Sequence, residues 1–430
     1  MSEVGESRGI SVKDRPGGAL LLETEVAEQW AGSVDCAPPP RMTARILQVS
    51  EIAPDDERAW RELAERAAEH NPFYEPDCLI PAAKHQSFGS EIRLAVAESD
   101  GRFHGCVPFR AVKRWKFPYP VLTSQVRRMN GLGTPLIDPE RGVDAAAALL
   151  TALAAERSPL HGRLFILDTA GAEGPVSLLI REAAQRLGFW LCSYETWDRG
   201  KLVRNDGQKY ERTVSYKSRR NLRRQMRLLG DAVGGPVEVE DRSTDPACID
   251  EYIALEASGY KSHKGVAMTT VPGEPEYFRE MCSRFMASRR LQVLTLQAGS
   301  QVIAMQMWIK ADEGAFLWKG SYDESYAQFG PGVLLHTVSI DFFNNETDSA
   351  WMDSCTGPDH KLLFRLYPVK RPIEFLAIVL GQSRIDRTVV RAFMAWRPLH
   401  SRYYKLTRPN HAVPGNEGSS KVATPRRPAT

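Results

Sequence analysis

Apolar residues recur along this chain in two alternating rhythms, and the change from one to the other marks out its elements. In RAWRELAERAAEH (58–70) Trp60, Leu63, Ala64, Ala67 and Ala68 fall on one helix face. IRLAVAE and RFHGCVPFRAV alternate as strands on either side of Ser99-Asp100-Gly101, where Asp-Gly supplies the positive backbone angle of a short hairpin. The pattern then predicts a helix over 141–156, a buried strand over 163–170 (RLFILDTA), a glycine-closed helix over 176–188 and a strand over 189–197 (FWLCSYETW).

The same order returns in the second half. EYFREMCSRFMAS (276–288) is amphipathic, RLQVLTLQ and QVIAMQMWIKAD flank Ala-Gly-Ser as a hairpin, and EGAFLWKGSYD is a further strand. GVLLHTVSIDFF (332–343) predicts a helix, SAWMDSCTG (349–357) a strand, and HKLLFRLYP and IEFLAIVLG complete the set. The hairpin glycines Gly101 and Gly299, the helix starts near Gly142 and Gly332, and the strand ends ILDTAG and WMDSCTG recur at separations of roughly 185 to 200 residues. Two related α/β domains are the simplest source of such a repeat. Residues 1–42, ending in Pro38-Pro39-Pro40, and 408–430 carry no apolar period and are expected to be a disordered leader and tail. That leaves 43–205 and 206–407 as the two domains.

Composition narrows the function classes. With 430 residues, 43% hydrophobic and 25% charged, the chain has the mass and the makeup of an ordinary multidomain protein. Its formal charge is only +3, so any polyanion partner must meet a local patch. Cys36, Cys78, Cys106, Cys192, Cys248, Cys282 and Cys355 are odd in number and widely spaced, which points to reduced thiols in the cytoplasm. No apolar run approaches the roughly 18 residues of a membrane span, and no secretory signal pattern opens the chain.

Three stretches could carry chemistry. In YDESYAQFGPGVLL a strand, a short loop and a helix follow in order, so Phe329, Gly330, Pro331 and Gly332 sit where a helix end attracts phosphate; the alternative is a plain turn before a core helix. The loop lacks the Gly-x-x-x-x-Gly-Lys-Ser/Thr spacing of a nucleotide triphosphate site. SYKSRRNLRRQMRLLG (215–230) sets Lys217, Arg219, Arg220, Arg223, Arg224 and Arg227 against an apolar stripe of Leu222, Met226 and Leu229. That is a surface for phosphates or RNA, or simply a solvated helix face. The third group, Lys319, Tyr322, Asp323, Glu324, Asp353, Asp359 and His360, lies on or just after strands, where ligand contacts collect in α/β sheets. Neither a Gly-x-Ser-x-Gly elbow nor an HExxH pair is present, and Asp359-His360 lacks metal-site spacing.

Five segments, SYKSRRNLRRQMRLLG, EASGYKSHKGVAM with FREMCSRF, LQAGSQVIAMQM, KGSYDESYAQFGPGVLL and MDSCTGPDHKLLFRLYP, resemble in content and order the GNAT acyltransferase superfamily. The branch is the one grouping FemAB-like proteins with the CelD-like, cellulose-biosynthesis-associated acetyltransferases, and the resemblance spans roughly residues 45 to 400. It implies an α/β fold of the α+β type, with two tandem GNAT-like domains, each a mixed, mostly antiparallel sheet flanked by helices. It implies transfer of an acyl group from acetyl-CoA or another acyl-CoA to an amine on a small-molecule or saccharide-linked acceptor, by direct attack. On that resemblance the donor phosphates fall on Phe329, Gly330, Pro331 and Gly332, with Arg219 and Arg220 as further contacts. Asp323 or Asp353 is the expected base, Tyr322 the acid or a substrate contact, and Lys261 and Lys319 are expected to hold substrate. The Arg/Gln-x-x-Gly-x-Gly/Ala pattern usual in such loops is absent, so an aminoacyl-tRNA donor of the FemAB-like kind stays open. So does a binding protein that kept the fold without the chemistry.

Overall fold

The computed structural model describes residues 41–113, 119–126, 131–156, 163–207, 209–210, 215–259, 265, 267–357 and 360–407. The expected leader (but for Arg41 and Met42), the expected tail, Lys261 and Asp359 lie outside the described residues.

The first half runs β1 (Thr43–Gln48), α1 (Pro54–Arg66), α2 (Pro76–His85), β2 (Arg93–Ser99), β3 (Arg102–Val112), β4 (Val121–Thr123), β5 (Leu136–Ile137), α3 (Gly142–Ala155), β6 (Leu164–Gly171), α4 (Pro175–Arg186) and β7 (Trp190–Val203). The second runs α5 (Tyr216–Val233), β8 (Glu238–Asp241), α6 (Ala247–Ser258), α7 (Glu274–Ala287), β9 (Leu291–Ala298), β10 (Gln301–Ala311), β11 (Gly314–Tyr322), α8 (Pro331–Glu346), β12 (Trp351–Asp353), α9 (Lys361–Leu366), β13 (Val369–Val379) and α10 (Arg384–Thr407).

Local chemistry accounts for the boundaries. Helix α1 opens on Pro54 with Asp55, Asp56 and Glu57 in its first turn and ends on Arg66, which suits the helix dipole, while Trp60, Leu63 and Ala64 are buried. The β2–β3 hairpin turns at Asp100 and Gly101, both with positive φ (51° and 73°), as the Asp-Gly signal required. Helix α5 begins at Ser215, whose side chain accepts the Ser218 N–H at 3.3 Å, and stops at Gly234 in the left-handed conformation (φ 78°).

All the strands join one sheet, in the order β1-β2-β3-β4-β6-β13-β7-β12-β11-β10-β9-β8, with β5 beside β3. Read inward from each edge the order is the same: a meander of antiparallel strands, then one parallel pair, β4 with β6 and β11 with β12. The repeat in the sequence is therefore a repeat of topology, a mixed, mostly antiparallel sheet flanked by helices. At the centre the halves trade strands. First-half β7 pairs with second-half β12, and second-half β13 pairs with first-half β6, all antiparallel, while all of β13 pairs with Trp190–Lys201 of β7.

Two expectations change here. The strand at 349–357 is only Trp351–Asp353, and the one at 189–197 continues to Val203. The added half of β7 was invisible to apolar alternation because its innermost side chain is Arg199, only 1% exposed, kept there by ion pairing. Among the described residues no helix is long and apolar enough to cross a membrane.

Candidate active site

Strand β11 organises the second half. Its alternation puts Phe316 in the core under α6 and α7 and Leu317 in the core under α8. The register against β10 then slips: Met307 faces Lys319 and Trp308 faces Leu317, so Trp318 is an extra residue without a partner on β10. Such a bulge re-aims the side chains beyond it. Trp318 stacks on Phe278 of α7 (5.2 Å between centroids), which in turn stacks on Tyr252 of α6 (5.3 Å). Lys319, which plain alternation would send to the α8 face with Leu317, reaches Glu256 of α6 instead, Nζ to Oε1 3.8 Å. Glu256 is 2% exposed, and its Oε2 accepts the Met268 N–H at 2.9 Å.

Sequence reasoning missed Glu256 as a site residue, although a signal was there. In ACIDEYIALEAS the buried positions Cys248, Ile249, Tyr252 and Ile253 set an apolar stripe, and Glu256 occupies the next place on it. A carboxylate in a core stripe requires a charged partner, and Lys319 is that partner.

On its other edge β11 pairs with β12 only from Gly314 to Phe316, against Trp351 to Asp353. β12 stops there and β11 runs on to Tyr322, so the edge of Leu317–Tyr322 has no ladder partner on that side among the described residues. The sheet opens into a slot next to Lys319.

The chain leaves the slot through a 3-10 turn, Glu324–Phe329, capped by Asp323, whose Oδ1 accepts the Ser325 N–H at 2.9 Å. Gly330 follows in the left-handed region (φ 65°), a conformation costly for other residues, and its carbonyl starts α8 by accepting from Val333 (2.9 Å) and Leu334 (3.1 Å). The cradle at this turn is narrower than its two glycines suggested. The Gly330 N–H bonds the Ala327 carbonyl and Pro331 has none to give, which leaves the Gly332 N–H as the donor without an acceptor among the described residues. Tyr322 lies over it: a Cβ at Gly332 would sit 3.2 Å from the Tyr322 ring. Phe329 and Tyr326 pack against the same core cluster as Leu222 and Met226 of α5.

Asp353, the other candidate base, lies in a buried ion cluster. It is 0% exposed, with Arg371 Nη1 at 2.7 Å, Arg199 Nη1 at 3.4 Å and the Cys355 N–H at 2.7 Å. Its oxygens accept from these three partners. Arg371 also reaches Glu69 at 3.7 Å, and burial raises the Glu69 carboxyl against the opposing effects of the Val176 N–H and Arg371.

Behind the slot, His336 of α8 has its Nδ1 buried without a hydrogen-bond partner, and burial, with the nearby His360, pushes its imidazole down to about 4. His360 caps α9, its Nδ1 accepting the Leu363 N–H at 3.4 Å. Because the folded value lies below the unfolded one, the neutral ring contributes stability above pH 6.5 that is lost as pH falls towards 4, about 3 kcal/mol in all. Urea midpoints at pH 7, 5.5 and 4.5 should therefore fall more steeply for the wild type than for His336→Leu; parallel curves would refute this.

The structure thus brings Lys319, Tyr322, Asp323 and the Gly330–Gly332 turn to one end of β11, and places Asp353 in a buried ion cluster. Arg219 and Arg220 stand apart on α5, where with Tyr216 and Arg223 they line a recess of about 280 Å³. Among the described residues no group of three His, Cys, Asp or Glu side chains is placed to hold a metal ion.

Comparison with known proteins bears on this arrangement. Residues 216–360 match the family model described as an acetyltransferase (GNAT) domain, which takes in α5, Glu256, β11, the Gly330 turn, α8 and Asp353. The structure is similar to that of FemX at a TM-score of 0.52, with 9% identity, over 81% of this chain and all of that one. It is also similar to a conserved protein of unknown function from Bacteroides thetaiotaomicron, at a TM-score of 0.50 and 12% identity, over 78% of this chain and all of that one. The comparison with curated proteins gives no match. Residues 216–360 thus match a GNAT acetyltransferase domain, in a chain that shares the fold of FemX.

Proposed function

We propose that the chain is a CelD-like, acyl-CoA-dependent N-acyltransferase of the cytoplasm, built of two GNAT-like domains that meet near residue 205. Its acceptor is an amine on a small molecule or on a saccharide-linked carrier. The observation that carries this reading is the slot itself, an unpaired strand edge that runs from Lys319 to the amino end of α8. An extended acyl-bearing arm can add to such an edge as a strand would, with its phosphates at the Gly332 N–H and the positive end of the α8 dipole. Phe329, Gly330 and Pro331 shape that end.

The acceptor amine attacks the thioester carbonyl carbon and the carbon–sulfur bond breaks. Glu256 takes the amine proton, and Lys319 orients that carboxylate and holds substrate beside it. N–H groups on the open β11 edge stabilise the oxyanion, and the Tyr322 phenol returns a proton to the leaving thiolate. Asp323, engaged as a cap, shapes the turn. Arg219 and Arg220 stay candidates for phosphate contact, at their own recess.

A second reading, an aminoacyl-tRNA donor, draws on the exposed cations of α5. Calorimetric titration of the full chain with acetyl-CoA and with bulk aminoacyl-tRNA separates the two. Micromolar acetyl-CoA binding that weakens at least ~10-fold in Gly332→Trp, where the new side chain must displace Tyr322, supports the lead. Salt-sensitive tRNA binding without acetyl-CoA binding supports the second, and binding of neither sinks both in favour of a fold that has lost its chemistry.

A further inference from the structure

Helices α5 and α8 border an open cleft of about 670 Å³. That volume is within the usual range for small-molecule sites, roughly 300 to 1,000 Å³. Leu334, Val338 and Asp341 of α8 form one wall, and Leu222, Met226 and Val237 with Arg227 and Asp231 form the other, so the lining is mainly apolar with charged groups at its edge. These side chains sit on a different face of α8 from the slot: they follow the 334, 338 row, and the slot meets only the first turn.

Arg223 lines this cavity and also the recess of about 280 Å³ formed with Tyr216, Arg219 and Arg220, so an apolar chamber and a cationic one share a wall along a single helix. Arg219 and Arg220 have no carboxylate within ion-pairing distance among the described residues. Other arginines of this half are neutralised, Arg242 by Asp245 and Glu251, and Arg290 by Glu75, while Arg224 and Arg227 of α5 resemble Arg219 and Arg220 in having no such carboxylate among the described residues. The Arg219 and Arg220 guanidiniums, grouped at the mouth of an apolar chamber, are a receptor for a ligand that carries both kinds of surface.

We propose that this cleft binds a single-chain phosphate monoester lipid as a monomer, its head between Arg219, Arg220 and Arg223 and its chain between α5 and α8. RNA would use the cations and leave the apolar chamber empty, and Tyr216 alone is no stacking platform. Free phosphate would likewise leave the chamber unfilled. A bilayer would hold its own chains and need no chamber. The inference concerns binding away from the slot and does not depend on the acyl donor.

The test is titration of the full chain with dodecyl phosphate, octyl phosphate, dodecanol and inorganic phosphate. Dodecyl phosphate should bind more than tenfold tighter than octyl phosphate, since each buried methylene contributes about fourfold. It should also bind more than ~100-fold tighter than inorganic phosphate. The double variant Arg219→Ala/Arg220→Ala should weaken dodecyl phosphate at least tenfold and leave dodecanol unchanged. Met226→Trp, and independently the milder Val338→Phe, should erase the chain-length dependence, with circular dichroism melts showing both folded. Equal affinity for inorganic and dodecyl phosphate would overturn the proposal. So would binding of bulk tRNA or of anionic vesicles that is lost in the double arginine variant while dodecyl phosphate fails to bind.

Discussion

Asp353→Ala is expected to destabilise the protein by about 3–5 kcal/mol, the usual consequence of removing one partner from a buried ionic cluster. The register explains why the loss is large. Arg199 on β7 and Arg371 on β13 are direct cross-strand partners, so two guanidiniums face each other at the seam where the halves exchange strands. Like charges directly opposite repel, and burial amplifies the repulsion. Asp353 stands between them, within 2.7 Å of one and 3.4 Å of the other. Without it, both cations stay inside the sheet, and Glu69, 3.7 Å from Arg371, is the one carboxylate near them among the described residues, beside the Trp351 ring and backbone carbonyls. Asp353→Asn, which keeps the shape and an acceptor for the Cys355 N–H, should still lose most of that stability. Urea unfolding of both variants is the measurement, and a change under 1 kcal/mol would mean that the cluster does not lock the seam. Transfer activity per folded molecule should be nearly unchanged in Asp353→Asn, since the amide keeps the local shape; a loss of roughly 10²-fold or more would return Asp353 to the role of base.

Glu256→Gln is expected to leave the fold intact and to lower kcat by roughly 10²- to 10⁴-fold, the range for loss of a positioned general base. The amide oxygen can still accept the Met268 N–H, so the local structure has what it needs, while the group can no longer take a proton. The KM for the donor should move little, because the slot and the Gly332 turn lie on other elements. Lys319→Met should also lower kcat and, by leaving the buried Glu256 without its cation, cost stability that Glu256→Gln/Lys319→Met recovers. Activity of Glu256→Gln within threefold of wild type, with the acid limb of the pH–rate profile unmoved, would remove the residue from the mechanism.

The halves of the molecule were legible in different degrees. Hairpins at Asp100-Gly101 and Gly299, the helices at 142 and 332, and the order of elements follow from contacts within a few residues, so periodicity and turn chemistry specify them. The Gly330 turn was legible as a place, while its donors were not, because the Gly330 N–H is taken by Ala327 only once the 3-10 turn forms. Lys319 was legible as polar and near a strand end. Its direction depends on the bulge at Trp318, and a bulge is a property of the pairing between two strands.

By itself the sequence determined the elements, their repeat, the basic face of α5 and the GNAT resemblance of residues 216–360. Only the tertiary structure decided that β7 and β13 change places, that Asp353 is an ionic lock and that Glu256 meets Lys319. The reason is one of range. Side-chain alternation and helix spacing are set by neighbours up to four positions away, whereas Arg199 and Asp353 are 154 residues apart, and such a pair exists only where the folded sheet excludes water from both.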